Sequence, residues 1–103
     1  IKKGENGCVM VTPEGYFMAP AYPLEEVYDP TGAGDSFAGG FVGYLASAGD
    51  LSEEQLRRAV VHGSAVASFT VERFSVDRLR TLTREQIAER YAEFRRFTFF
   101  EEL

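Results

Sequence analysis

The stretch Asp29-Pro30-Thr31-Gly32-Ala33-Gly34-Asp35-Ser36-Phe37-Ala38-Gly39-Gly40-Phe41 constrains the fold more than any other part of the chain. A tight, glycine-containing turn runs directly into an apolar stretch that reads as a helix. Small residues leave the turn's backbone N–H groups uncovered, and the helix start adds partial positive charge, so the junction suits an anion. Asp35 stands at that junction. It has two readings. It is a first-turn acid that complements the helix dipole, or it is a base that takes a proton from whatever attacks the anion. The residues alone leave both open.

The helix is expected over Ala33–Ala48, closed by Gly49 as its C′ residue. It carries Gly39, Gly40 and Gly43, at a combined propensity cost of about 3 kcal/mol relative to Ala. Burial must offset this. Phe37, Phe41, Val42 and Leu45 supply apolar surface, and the glycines permit close approach to a neighbouring element. Upstream, Gly4–Gly7 is a turn, and Cys8–Thr12 and Tyr16–Ala19 are strands joined by the loop Pro13-Glu14-Gly15, a hairpin. Pro20 and Pro23 mark an irregular link, and Glu26–Tyr28 is a short strand that delivers the chain to Asp29.

Downstream, Ser52-Glu53-Glu54-Gln55 is a capping box that opens a second helix, ending near Phe69 or Thr70. Leu56, Ala59, Val60, Gly63 and Ala67 share one of its faces. Val71–Ser75 is an exit segment. Thr83-Arg84-Glu85-Gln86 is another capping box, and its helix carries Ile87, Tyr91 and Phe94 at helical spacing. Phe97 to Phe100 is an apolar tail, read as core packing or as an uncovered patch. These elements make an α/β fold with a β-hairpin and three main helices.

Composition narrows the function. The net charge is −5 and no basic patch is present, so a nucleic-acid partner is not expected. Cys8 is the only cysteine, which excludes an internal disulfide and a Cys-based zinc site. It reads as a small strand hydrophobe and suits a reducing cytoplasm. His62, the only histidine, reads as a surface or helix-packing residue, and Lys2 and Lys3 as solvated. No apolar run is long enough to span a membrane, and no signal peptide is read. The chain opens on Ile1 as if part-way through a strand, and residues upstream are expected to be missing.

Other glycine motifs do not fit. The dinucleotide fingerprint wants Gly where Phe37 stands, the P-loop wants a Lys beside the turn, and Gly-x-Ser-x-Gly is absent. The run from Asp29 to Val42 closely resembles the C-terminal signature of the ribokinase-like, or PfkB, family of carbohydrate kinases. In that pattern an Asp precedes a small-small-Gly turn, a second Asp follows, and after three intervening residues come two small ones, here Gly39-Gly40. Lys2-Lys3-Gly4-Glu5-Asn6-Gly7 is similar to the family's Lys-x-Gly-x-x-Gly turn. Ala65 to Glu72 resembles the small-residue helix and exit strand that follow the signature. The resemblance covers most of residues 1 to 75.

The resemblance implies a partial ribokinase-like αβα sandwich: the C-terminal, nucleotide-side part of a kinase domain whose N-terminal part, with most acceptor contacts, is absent. It implies ATP-dependent phosphorylation of a sugar hydroxyl, with Mg2+ required and K+ as a candidate activator. A nucleoside acceptor in the same superfamily, or a non-catalytic nucleotide-binding module, is the alternative. By the same resemblance Asp35 is the general base, and Gly32, Ala33 and Gly34 form the anion hole. Gly4, Gly63 and Ser64 lie on the nucleotide, and Asp29 and Thr31 help hold a monovalent cation. Ser75 stands where many members have Gly. The parent enzyme would be cytoplasmic and homodimeric, and the isolated piece inactive.

Overall fold

The computed structural model describes residues 1, 7–23, 32–71 and 82–103. The expected strand at Glu26–Tyr28 and most of the Val71–Ser75 exit segment lie outside these residues. Two strands and three helices follow in order: β1 (Cys8–Thr12), β2 (Gly15–Ala19), α1 (Ala33–Ala48), α2 (Glu53–Thr70) and α3 (Arg84–Thr98).

β1 and β2 pair antiparallel, from Cys8 opposite Ala19 to Thr12 opposite Gly15. The turn is therefore Pro13-Glu14, one residue shorter than the expected loop. Gly15 joins the ladder because its φ of 133° is open to glycine, and the Glu14 N–H donates to Thr12 Oγ1 across the turn (3.3 Å). The inward residues Cys8, Ala19 and, from α2, Val60 form a small core, flanked by Met10, Phe17, Phe37 and Phe41. Val11, Tyr16 and Met18 face solvent.

α2 is the central element and touches α1, α3 and β2. Its buried set is Ala59, Val60, Gly63, Ala65, Ser68, Phe69 and Thr70. This is wider than the one face read from spacing, because neighbours lie on several sides. Ser52 caps it by accepting from the Gln55 N–H (3.3 Å), but the reciprocal half of the expected box is not made. The Gln55 side chain accepts instead from the Tyr44 hydroxyl (2.7 Å), and the Ser52 N–H donates to Asp50 Oδ1 (3.0 Å). That hydrogen bond holds the Asp50 carboxyl below its ordinary pKa. The Thr83–Gln86 box on α3 is complete.

α3 docks through Phe94, the most fully buried large side chain of the described residues. The Arg90 guanidinium lies over the rings of Phe69 (3.7 Å) and Tyr22 (4.2 Å) and donates to Ser68 Oγ (3.0 Å). Tyr22 in turn donates to Glu93. The link after the hairpin is thereby tied to the last helix. Phe97 packs on Phe94 and Tyr22, while Phe99 and Phe100 are exposed.

The three glycines of α1 beyond its first turn divide. Gly40 faces α2, where an added Cβ would lie 3.1 Å from Gly63 Cα and 3.1 Å from Val66 Cγ2. Gly63 is tighter, with 2.9 Å to the Phe37 carbonyl oxygen. His62 Nδ1 lies 3.1 Å from the Gly40 carbonyl oxygen and its ring packs on Tyr44, so His62 belongs to the helix contact. Gly39 and Gly43 face open space, and Val42, expected to be buried, is 61% exposed. Gly63→Ala should therefore cost about 1–3 kcal/mol through overpacking, whereas Gly39→Ala should add about 0.5–1 kcal/mol by helix propensity. Urea unfolding of the two variants measures the contrast, and equal midpoints would contradict the close crossing of α1 and α2.

Candidate active site

The glycine turn enters α1 through Gly32, whose backbone is left-handed (φ 87°, ψ −8°). Left-handed backbone costs a side-chain-bearing residue about 1–2 kcal/mol, which accounts for glycine here. Gly32, as the N-cap, has no side chain with which to cap the helix. The Ser36 N–H donates to the Gly32 carbonyl (2.9 Å), the first rung of the α1 ladder. A helix start leaves its leading N–H groups outside that ladder, and Gly32, Ala33 and Gly34 supply this part of the chain without bulky side chains. Asp35 lies in the first turn and is exposed. Its carboxylate stands near the positive end of the α1 dipole.

Behind this turn lies a contact that the motif did not indicate. Thr70, the last residue of α2 and 5% exposed, donates through Oγ1 to Ser36 Oγ (2.8 Å). A methyl added to Gly32 would sit 4.0 Å from Thr70 Cγ2. Thr70 thus borders the turn at both ends. Its only sequence signal is a position near the end of the small-residue helix.

The remaining candidates are distributed as follows. Gly63 is buried against Phe37, and Ser64 donates to the Val60 carbonyl (2.9 Å) with Cys8 Sγ 4.0 Å away. Gly4, Asp29 and Thr31 lie outside the described residues. Among the described residues, no three His, Cys, Asp or Glu side chains gather as a metal site, and no helix is long and apolar enough to cross a membrane. The start of α1 thus sets an exposed carboxylate beside backbone that carries no bulky side chains.

Residues 1–81 match the profile described as pfkB family carbohydrate kinase. The chain belongs to the pfkB family. Among curated pfkB relatives, the aminoimidazole riboside kinase of Salmonella typhimurium is 37% identical over 71 residues, which is 69% of this chain and 22% of that protein. The nucleoside kinase of Methanocaldococcus jannaschii is 36% identical over 72 residues (70% and 22%). The 5-dehydro-2-deoxygluconokinase of Photobacterium profundum is 37% identical over 71 residues (69% and 20%). In these pairs the match takes in about a fifth of the relative's length.

The fold agrees. The crystal structure of aminoimidazole riboside kinase from Salmonella enterica superimposes with a TM-score of 0.72 at 31% identity, covering 85% of this chain and 28% of that one. A second structure of that enzyme, complexed with aminoimidazole riboside and an ATP analog, gives 0.70 at 31% identity (84% and 29%). The pfkB chain described here is therefore a partial ribokinase-type α/β unit, and α3 lies beyond the segment matched to the family.

Proposed function

We propose that this chain supplies the phosphoryl-transfer corner of a longer ATP-dependent kinase that phosphorylates a sugar hydroxyl. The observation that carries the proposal is the turn itself: left-handed Gly32, small residues at the start of α1, and an exposed carboxylate one turn in, at Asp35. Membership of the pfkB family supports it.

In this reading the acceptor hydroxyl attacks the γ-phosphorus of ATP, and the bond to the β,γ-bridging oxygen breaks. Asp35 accepts the hydroxyl proton as the new O–P bond forms. Charge on the transferred group's oxygens is met by N–H groups of Gly32, Ala33 and Gly34, which are oriented before the reaction begins. The products are ADP and the sugar phosphate. Gly4, Gly63 and Ser64 are proposed on the nucleotide side. Asp29 and Thr31 are proposed for a monovalent cation such as K+. Mg2+, when bound, would offset phosphate charge; among the described residues no three His, Cys, Asp or Glu side chains gather to hold it.

The acceptor is read as a sugar, with a nucleoside of the same superfamily as the alternative. The relatives above are named as a riboside kinase, a nucleoside kinase and a 5-dehydro-2-deoxygluconokinase, at nearly equal identity. A purely non-catalytic module is disfavoured by the intact acid at Asp35. The test is ADP release by the full-length protein with ATP and a panel of pentoses, ribosides and hexonates. Acceptor-dependent ADP from the full-length protein, with none from the 103-residue chain alone, is the expected result. No acceptor-dependent release from the full-length protein would refute the kinase reading, and turnover by the 103-residue chain would refute the division of the site.

A further inference from the structure

The first turn of α1 lacks a side-chain cap of its own, since Gly32 occupies the N-cap. Thr70 borders this turn from the end of α2. Its hydroxyl has one proton to donate. A Thr near a helix end commonly spends that proton on a carbonyl of its own helix, but here it crosses to Ser36 Oγ on α1 (2.8 Å). Thr70 is buried, and β-branching restricts its χ1, so hydroxyl and methyl leave in fixed directions. The methyl borders Gly32 and the hydroxyl holds Ser36, which brackets Ala33, Gly34 and Asp35. Successive helical residues are rotated by roughly 100°. Holding Ser36 inward therefore turns the exposed Asp35 outward.

We propose that Thr70 is a positioning residue. Through Ser36 it fixes the rotation and height of the first turn of α1, so that the Asp35 carboxylate and the turn amides meet acceptor and phosphate together. This rests on the reading of Asp35 as the base. The bond links two elements 34 residues apart, so it sets the geometry of the site against the fold as a whole rather than within one loop.

The test uses the full-length kinase, with rates referred to natively folded protein. Thr70→Val keeps the shape and removes the hydroxyl. It should lower kcat by about 10- to 100-fold, the loss typical of a small misplacement of reacting groups, and leave KM for ATP within about threefold. Thr70→Ser restores the donor and should recover most of the rate. Ser36→Ala should lower kcat as Thr70→Val does, and the double variant should fall no further than either single one, because both remove one interaction. Parental kcat in Thr70→Val, failure of Thr70→Ser to recover the rate, or multiplicative losses in the double variant would overturn the proposal. Asp35→Asn run in parallel separates the two readings. If Asp35→Asn abolishes turnover while Thr70→Val is unaffected, only the positioning role fails. If Asp35→Asn turns over normally, the base reading fails and takes the positioning role with it.

Discussion

On the proposed function, Asp35→Asn in the full-length protein is expected to lower kcat by about 10²- to 10⁴-fold, the usual contribution of a positioned general base. Asn matches the shape and keeps hydrogen-bonding capacity, but its amide does not accept a proton near neutral pH. ATP affinity should stay within about threefold, because the proposed phosphate contacts come from backbone N–H groups that the substitution leaves in place. Stability should barely move. Asp35 is exposed and interacts with the dipole of α1, a contribution of about 0.3–1 kcal/mol. Steady-state kinetics with thermal unfolding on the same preparations separates the two effects. Loss of kcat at nearly constant melting temperature supports a base, and unchanged kcat leaves Asp35 as a first-turn acid only.

Gly7→Ala should produce the largest loss of stability of any Gly→Ala change among the described glycines. Its φ is 86°, in the left-handed region, where a side chain costs about 1–2 kcal/mol. The added Cβ would also lie 2.2 Å from the Ala19 carbonyl oxygen and 2.8 Å from Pro20 Cα. Both are backbone atoms at the exit of β2, with no rotamer to yield, so overpacking adds about 1–3 kcal/mol. The expected total is about 2–5 kcal/mol, read as a fall in the urea midpoint. Gly15→Ala is the control: φ is 133° but nothing lies within 4 Å, so it carries conformational strain alone. If Gly7→Ala unfolds with the parent midpoint, Gly7 does not press on the exit of β2 as described.

The elements were legible because punctuation residues announce them. Gly49 ends α1 in the left-handed conformation with its N–H on the Leu45 carbonyl (3.1 Å), and Ser52 and Thr83 start the two later helices. What escaped the sequence was tertiary competition. Gln55 has the right spacing to complete a capping box, but Tyr44 on α1 claims its side chain. Gly39, Gly40 and Gly43 look alike in sequence, yet only the direction of approach of α2 makes Gly40 the contact. The same holds at the site. Gly32 to Asp35 were readable as one local turn, but Thr70 reaches that turn only because α2 ends beside it. No spacing rule says which helix end meets which.

The left-handed backbone at Gly32 also bears on how this position can change over generations. A single base change in a glycine codon reaches Ala, Val, Ser, Cys, Arg, Trp, Asp or Glu, but not Asn, the side chain best suited to a left-handed backbone after glycine. Among the reachable residues Asp tolerates that conformation best, and it would bring a second carboxylate to the rim of the proposed anion site, opposing the phosphate. Every one-step path from Gly32 thus carries either a conformational or an electrostatic penalty. The position is held by the structure of the code as well as by the structure of the turn.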